Sequence, residues 1–484
     1  MNLFKFIFMK FHLSFVLVAL LCLGSRAQSP DKVWGIEECV NYALENNIQI
    51  QQSQLQVEIN KNNQQQVRAD LAPNLNLNSN YGWNFGLNID PVTNEISQSQ
   101  RQTASLGLNS NVTLFSGLRQ HYSIAKANLD YMAALYDLED MEYDVSLNVT
   151  AGYLQILLNK EILNVAREQQ RVSKLQLDRM TKLVEAGANP KGDELQLQAQ
   201  WARDKQDVIA AENAYIISKL QLANLLQLEN PDEFEIESPE IELPGAELVA
   251  RSAESIYATA LDMQPAIKGA EIRVESSEKD LAITKAGAYP TLRLVGQVGT
   301  SYSDQIQEPN STDIVTQTVP AFDQNGTSYT FQIPQEIPTD FEPKPFGPQA
   351  TDNLNEYVGL SLNVPIFNGL SVSKNKQNAA INAQITRLQL DQEKNALRQD
   401  VYQAHADAKA SYNSYLAAEA AVEAGKESFK YSKERFEVGA LNQFDFENDK
   451  NSLARAMSEM LRAKYDYIFK IKVLEFYLTN QVKL

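Results

Sequence analysis

Residues 74–87 read NLNLNSNYGWNFGL, and apolar side chains occupy alternate positions along this stretch. Leu75, Leu77, Tyr81, Trp83 and Phe85 share one parity, whereas asparagines fill most of the positions between them. Alternation with a period of two is typical of a β-strand that has one face in an apolar environment. The stretch therefore predicts a strand at about residues 74–88, with one apolar face and one polar, largely uncharged face.

Three further stretches, at about residues 103–115, 291–302 and 356–367, carry the same alternation. Their apolar positions are Leu106, Leu108, Val112 and Leu114, then Leu292, Leu294 and Val298, then Val358, Leu360, Leu362, Val364 and Ile366. Strands about ten residues long with aromatic residues and a polar opposite face are typical of transmembrane barrels. A surface sheet packed on helices in a soluble protein would show the same pattern, so that alternative stays open.

The number of strands sets a condition on any pore. Four strands cannot close a barrel, and eight leave an interior that side chains fill. A water-filled pore therefore requires several chains, and three chains would supply twelve strands.

The remaining sequence predicts helices of exceptional length. Residues 118–183 contain no proline and only one interior glycine, Gly152, and apolar residues recur every seven positions from Ile124 to Val145. This seam suits coiled-coil packing, and at ~1.5 Å per residue the helix would span on the order of 100 Å. Residues 370–436 predict a matching helix. A coiled-coil stalk or adhesin is the structural alternative, although it would not need inserted strand pairs.

The chain repeats itself once. The sequences LFSGL at 114–118 and IFNGL at 366–370 lie 252 positions apart, and AGA at 186–188 and VGA at 438–440 have the same offset. Earlier matching motifs lie 217 positions apart, so an insertion falls between Pro290 and Phe367. A constant offset across separated motifs predicts two halves of like fold.

This repeat defines the predicted domain organisation. Residues 28–230 form the first half and residues 246–484 the second, with a linker at 231–245. Residues 303–353 are rich in Pro, Gly, Asn, Asp and Thr, and they predict a long exposed loop. Residues 1–27 have two lysines, an apolar run and small residues before Gln28, as in a secretory signal peptide. A lipoprotein signal ending at Cys22 is the alternative, but Leu21 precedes that cysteine at a position where a small residue is expected.

Composition excludes several classes of function. The net charge is −18, which argues against a nucleic-acid partner because phosphate contacts need clustered Lys and Arg. The chain has two cysteines and three histidines, and neither His121 nor His405 has further partners at metal-ligand spacing. No metal site, cofactor site or set of catalytic residues is predicted.

The signal peptide, the duplicated halves, the strand pairs between long helices and the glycine turns together resemble the TolC-like outer-membrane efflux family, over about residues 34–477. The resemblance implies a mostly helical α+β protomer with four transmembrane strands and long coiled-coil helices. Three protomers would form a 12-stranded β-barrel in outer-membrane lipid and a 12-helix α-barrel in the periplasm. An equatorial belt would comprise residues 36–47, residues 231–261 and the C-terminus.

The resemblance also implies partners and a passive function. The homotrimer would receive substrate from an inner-membrane efflux pump (RND or ABC type) through a periplasmic adaptor, or membrane fusion, protein. No enzymatic activity and no cofactor are implied, and the long loop at 303–353 would be extracellular.

The predicted adaptor-docking sites are two short turns that would form the periplasmic tips of the duct, because in related ducts such glycine turns receive adaptor hairpins. They comprise Ala186, Gly187, Ala188, Val438, Gly439 and Ala440. A glycine there permits the positive φ that ends a helix, and Pro190 suits the first turn of the next helix. Helix capping alone is the alternative reading of these turns.

Asp193 and Asp445 each follow the tip glycine by six positions. In a trimer they would place six carboxylates around the periplasmic entrance, and such a ring attracts cations. The alternative is that each carboxylate interacts only with a helix N-terminus. Phe436, Leu441 and Asn448 depart from the family pattern at positions that can carry polar or acidic residues of a closing latch.

Overall fold

The structure, a computed structural model, describes residues 33–89, 96–239, 243, 245–322, 326 and 328–479. The predicted signal peptide, with Cys22, lies outside the described residues. So do residues 240–242 and 244 of the predicted linker.

Most of the described chain is helical, which confirms the predicted mostly helical α+β class. The described residues form ten α-helices: α1 Ile36–Asn46, α2 Ile48–Ala69, α3 Arg119–Glu185, α4 Lys191–Leu225, α5 Glu247–Ala250, α6 Ala253–Met263, α7 Pro265–Ala286, α8 Phe346–Asp352, α9 Ser371–Glu437 and α10 Gln443–Thr479. A short 3-10 helix covers Pro231–Glu233. No helix within the described ranges combines the length and the apolar character that crossing a membrane requires.

Eight strands form three separate sheets in the described chain. They are β1 Val33–Trp34, β2 Asn76–Ile89, β3 Ile96–Phe115, β4 Glu235–Ile236, β5 Thr291–Ser303, β6 Gln307–Phe322, β7 Ser328–Pro343 and β8 Asn355–Asn363. The largest sheet has the order β2-β3-β5-β8 and is antiparallel throughout. β6 pairs with β7 as an antiparallel hairpin, and β1 pairs with β4 in parallel.

The order and the lengths of the helices repeat between the two parts of the chain. α1 and α6 have 11 residues each, and α2 and α7 have 22 each. Two strands of the largest sheet follow in each part, with β6, β7 and α8 inserted between them in the second, and then a helix of 67 residues, α3 or α9. The last helices, α4 and α10, have 35 and 37 residues. A duplicated sequence thus gives two nearly equal series of elements.

The prediction of a long loop at residues 303–353 is wrong for most of that segment, because β6, β7 and α8 lie within it. Several prolines that indicated a loop lie within the paired strands β6 and β7, where edge positions accommodate a residue that has no N–H. Two strand boundaries also differ. β3 begins at Ile96 rather than near residue 103, and β8 ends at Asn363, two residues before Pro365, where proline restricts the preceding residue and removes a donor.

The chain divides into two compact units, and each takes segments from both halves. The first comprises the described residues of Met1–Glu58, Met132–Glu271 and Leu388–Leu484. Its largest apolar core surrounds Tyr153, which is fully buried and whose hydroxyl donates to the Glu237 carbonyl oxygen at 2.9 Å. Trp34 packs edge-on against Phe234 in the same core, with ring centroids 6.0 Å apart. The strands β1 and β4 are thereby fixed to the long helix α3.

A second core of the first unit forms where α6 packs on α9 and α10. Its fully buried members include Ile256, Val401 and Ile471. Both cores combine residues of the long helices with residues of the segments that were predicted to form a belt, namely residues 36–47, residues 231–261 and the C-terminal helix.

The second unit comprises Ile59–Tyr131 and Ile272–Arg387 and contains the four-stranded sheet. Its helices are joined by polar contacts: Arg68 donates to Asn128 at 2.9 Å, and Arg387 pairs with Glu278 at 2.8 Å. The β6–β7 hairpin belongs to the same unit as the sheet.

Candidate functional site

The first predicted tip is a helix C-terminus of Schellman type. The N–H of Ala188 donates to the Leu183 carbonyl oxygen at 2.8 Å, and the N–H of Gly187 donates to the Val184 carbonyl oxygen at 2.9 Å. Gly187 has φ +71°. This pair of bonds with a left-handed residue ends a helix and satisfies carbonyl groups that would otherwise lack partners.

The second tip repeats this geometry. Ala440 donates to the Arg435 carbonyl oxygen at 2.8 Å, Gly439 donates to the Phe436 carbonyl oxygen at 3.1 Å, and Gly439 has φ +76°. The two turns use the same bonds in the same order. Both glycines therefore end a helix in the same way.

Both glycine turns face open space. Ala186, Gly187 and Ala188 are exposed, as are Val438, Gly439 and Ala440. A Cβ atom added at Gly187 or at Gly439 would meet no heavy atom within 4 Å. The glycines are thus required by the positive φ and not by close packing within the chain.

Asp193 lies in the first turn of α4, and its backbone N–H donates to the Pro190 carbonyl oxygen at 3.2 Å. Its side chain is partly buried and accepts a bond from Asn189 Nδ2 at 3.4 Å. A carboxylate in this position interacts favourably with the helix N-terminus. The position of Asp193 is therefore consistent with an interaction between its carboxylate and the helix N-terminus.

Asp445 occupies the equivalent position in α10 and has tighter local contacts. Its N–H donates to Asn442 Oδ1 at 2.9 Å, and Asn442 Nδ2 donates to Asp445 Oδ2 at 2.8 Å. The asparagine caps the helix while its amide fixes the carboxylate. Asp445 is exposed, so its charge remains open to solvent.

Phe436 has a packing role that the sequence did not reveal. Its ring stacks on Phe446 with centroids 4.6 Å apart, and Phe446 is 3% exposed and also contacts Phe429. These aromatic residues close the hairpin between α9 and α10 just behind the glycine turn. Phe436 thus belongs to a small apolar cluster behind the turn.

A buried charged cluster lies further along the same helices, and sequence analysis missed it. Lys450 of α10 pairs with Glu447 at 2.9 Å, and its Nζ lies 3.7 Å from Asp204 Oδ2 of α4. Gln200 Nε2 donates to Asp204 Oδ1 at 2.7 Å. The cluster links the hairpin of the first tip with the hairpin of the second. No local pattern distinguishes these residues from the charged residues on solvated helix faces.

The four-stranded sheet has one apolar face, as the alternation predicted. The register sets Leu77 opposite Leu108, Leu108 opposite Val298, and Leu294 opposite Leu360. Tyr81 and Trp83 extend this face and contact each other edge-on at 4.9 Å. Leu77, Tyr81 and Leu360 are each more than 60% exposed. An apolar face of this size, uncovered within one chain, indicates contact with lipid or another protein.

The two histidines singled out from the sequence make ordinary contacts. His405 Nε2 lies 2.8 Å from the Arg251 carbonyl oxygen and 3.2 Å from the Val249 carbonyl oxygen, at the end of α5. His121 packs against the ring of Tyr122. Across the described residues, no group of three or more His, Cys, Asp and Glu side chains could hold a metal ion.

Comparison with known proteins gives consistent relatives. The Vibrio cholerae outer membrane protein TolC is 22% identical over 443 residues, which cover 91% of this chain and 90% of the relative. The alkaline protease secretion protein AprF of Pseudomonas aeruginosa is 22% identical over 456 residues, which cover 92% of this chain and 84% of the relative. Both likenesses extend across the two halves of the chain.

Solved structures show the same fold. The CmeC outer membrane channel of Campylobacter jejuni has a TM-score of 0.70 at 16% identity, with 92% of this chain and 85% of that chain covered. The open state of the Neisseria gonorrhoeae MtrE outer membrane channel has a TM-score of 0.66 at 17% identity, with 93% and 91% covered.

The family assignment rests on the sequence of both halves. The family model described as "Outer membrane efflux protein" matches residues 39–227 and 256–472. These segments contain both strand pairs of the sheet, both glycine turns, and Asp193 and Asp445. A structural or adhesive coiled coil is not favoured. The chain belongs to the outer membrane efflux protein family and is an outer-membrane efflux channel protein.

Proposed function

We propose that three copies of this chain form a passive duct, in which three four-stranded sheets close one twelve-stranded barrel in the outer membrane and the long helices form a tunnel in the periplasm. The observation that carries this proposal is the sheet β2-β3-β5-β8, which has exposed apolar side chains on one face and asparagine, serine and threonine on the other. Within the described part of the chain, its outer strands, β2 and β8, are each paired on one side only. Closure with two further copies would pair both edges, as a spanning sheet in lipid requires.

The repeat halves, residues 28–230 and 246–484, then contribute equivalent parts to the duct, and residues 231–245 connect them near the belt. Residues 1–27 direct export and are removed. No covalent chemistry is assigned to the channel, because passage through a water-filled tunnel requires none.

The glycine turns are the proposed docking sites for a periplasmic adaptor, which connects the duct to an inner-membrane pump of RND or ABC type. Their support is the repeated Schellman geometry and the open space at both glycines. Two similar tips per protomer would give six related sites around the trimer, so an adaptor with a helical hairpin could bind at each.

The proposed entrance ring consists of Asp193 and Asp445 from each protomer. The position of both carboxylates in the first turn of a helix that follows a tip supports this arrangement. Asp445 contributes an exposed charge, whereas Asp193 is partly buried.

The first test is the native mass of the protein extracted from outer membranes in mild detergent. We expect the mass of a trimer of mature chains in that fraction. A monomer, or release of the protein without detergent, would overturn the proposed duct because four strands cannot close a pore.

A matched pair of lysine variants tests which face of the sheet meets lipid. Leu108 and Asn109 are neighbours in β3 with opposite side-chain directions, and Asn109 lies beside the uncharged Asn76 and Gln297. Leu108→Lys should reduce the amount of trimer in the outer membrane strongly, since a lipid-facing lysine costs about 2–4 kcal/mol near the bilayer midplane. Asn109→Lys should have little effect. Equal losses from both variants would contradict the assignment of the faces.

A further inference from the structure

The β6–β7 hairpin has an apolar face that is separate from the four-stranded sheet. Directly opposed residues of a ladder share a face, and the register pairs Val319 with Phe331 and Asp313 with Ile337. The apolar members of this face, which we call the hairpin face, are Val315, Val319, Phe331, Ile333, Ile337 and Phe341. Each of them is at least 37% exposed, and Phe331 is 59% exposed. Asp313 is the one acidic residue on this face in the described strands.

The opposite face of the hairpin is acidic and polar. In the ladder Glu308 lies opposite Glu342, and Glu336 lies opposite Ile314. Ile314 is the one large aliphatic side chain on this side of the described strands. Threonines occupy several of the remaining positions. This face is suited to water, so the two faces of the hairpin are suited to different environments.

The edges of the hairpin are unsuited to strand addition. Pro320, Pro334 and Pro338 all fall on the same phase of the ladder, opposite threonines. A proline has no N–H and is accommodated where its backbone nitrogen points away from the paired strand. One position of β6 and two positions of β7 therefore lack an edge donor, which disfavours pairing with another strand at these positions. Association through the hairpin face remains available.

The base of the hairpin is fixed to the end of the sheet. The N–H of Lys344 donates to the Ile306 carbonyl oxygen at 2.8 Å. Gln349 of α8 is 1% exposed, and its Nε2 donates to the carbonyl oxygens of Ser303 and Lys344 at 2.8 and 2.7 Å. The N–H of Ser303, the last residue of β5, donates to Gln349 Oε1 at 2.9 Å. The hairpin thus leaves the sheet from a held base.

We propose that the hairpin faces of neighbouring protomers pack against one another at the mouth of the duct, so that the occupant of each face is a second copy of this chain. This inference rests on the trimeric duct proposed above. A two-stranded hairpin alone is marginally stable in water, and three hairpins held at one rim would meet at high effective concentration. The inserted segment would then add a contact between protomers beyond the barrel and the helices.

Cysteine pairing tests this contact in the full-length trimer, since Cys39 is buried. Single variants Val319→Cys, Ile333→Cys and Ile337→Cys report on the hairpin face, and Gln332→Cys and Thr316→Cys are matched controls on the opposite face. After mild oxidation or a short bismaleimide, a non-reducing gel should show chain dimers for at least one hairpin-face position. The yield should exceed that of the controls by about fivefold or more.

The outcomes separate this inference from the duct itself. A trimeric native mass with no excess of cross-linking at the hairpin face would overturn the hairpin contact and leave the duct standing. A monomeric native mass would overturn the duct, and with it the inference. As an independent readout, Ile333→Asp combined with Ile337→Asp should speed chymotrypsin cleavage near Phe331 and Phe341 at least tenfold, while the trimer mass is retained. An unchanged cleavage rate would contradict packing of this face.

Discussion

Lys450 of α10 lies 3.7 Å from Asp204 of α4, and 3% of each side chain is exposed. The same ammonium group lies 2.9 Å from Glu447, so one cation serves two carboxylates that are largely removed from water. Burial of charges is costly unless they are paired. The cluster therefore makes the relative position of the two tip hairpins sensitive to a single lysine.

Replacement of that lysine should be strongly destabilising. Lys450→Met leaves Asp204 and Glu447 buried without a cation, and loss of one partner of a buried pair costs about 3–5 kcal/mol. Denaturant unfolding of the detergent-solubilised protein, followed by circular dichroism, would measure the loss. Lys433→Met, at an exposed position of α9, is the control and should change stability little. The triple variant with Asp204→Asn and Glu447→Gln should recover most of the loss, and an absence of recovery would contradict this reading.

Variants with alanine in the glycine turns should still fold, but they should be less stable than the wild type. Gly187→Ala and Gly439→Ala each place an L-residue at positive φ, which costs about 1–2 kcal/mol per residue, while no atom lies close enough to clash. Gly425→Ala is the matched control, since Gly425 lies inside α9 and an added Cβ meets only the end of Leu453 at 3.4 Å. It should leave stability unchanged or raise it. Thermal unfolding of the three variants measures these differences.

The same variants address adaptor docking when they are tested for drug susceptibility in cells at equal outer-membrane abundance. A bulkier change, Gly187→Trp combined with Gly439→Trp, should abolish efflux because the large side chains would block adaptor docking at the tips. Gly425→Ala should leave efflux intact. Full efflux in the double tryptophan variant would argue that the turns serve only as helix caps.

Neutralisation of the proposed entrance ring should alter ion selectivity. In a planar bilayer under a salt gradient, Asp193→Asn combined with Asp445→Asn should reduce the cation-dependent reversal potential by about half or more, because a carboxylate ring favours cations. Asparagine remains a competent residue near a helix N-terminus, so the turns should still fold. Glu427→Gln, at an exposed position of α9, is the control. A reversal potential that stays at the wild-type value would remove the selectivity role.

Glu142 of α3 predicts a pH-dependent effect on stability. Burial, with a further contribution from the charge of Glu139, raises the pKa of the Glu142 carboxyl above its usual range. A raised pKa in the folded state gives a stabilising contribution that is present below the unfolded pKa, about 4.3, and is lost as pH rises through the folded pKa. Glu142→Gln should therefore raise the melting temperature relative to wild type at pH 7.5 and have little effect at pH 3.5. A difference that is the same at both pH values would contradict the shift.

The sequence predicted those elements whose pattern repeats over many residues. The alternation at Leu75–Phe85 located β2, and the absence of proline between residues 118 and 183 located α3. The beginning of β3 could not be predicted, because ISQSQRQ at 96–102 has no apolar alternation. Its strand conformation comes from pairing with β2, which is a tertiary effect.

The residues of the tips were predicted, but the contacts that support them were not. A glycine between helices indicates a cap wherever it occurs, so Gly187 and Gly439 were identifiable. Phe436 and Lys450 gain their roles from partners on another helix. Phe436 stacks on Phe446, and Lys450 lies close to Asp204. A single sequence carries no signal for such pairs.

The closed base of the β6–β7 hairpin has a consequence for how this family member can vary. Ile306 and Lys344 are bonded to each other, and the ladder above them keeps one register. Residues could therefore be gained or lost as opposed pairs without any shift in β5 or β8. The hairpin is thus a segment whose length can drift during evolution, and an epitope inserted at its tip would be carried outward without disturbing the sheet below.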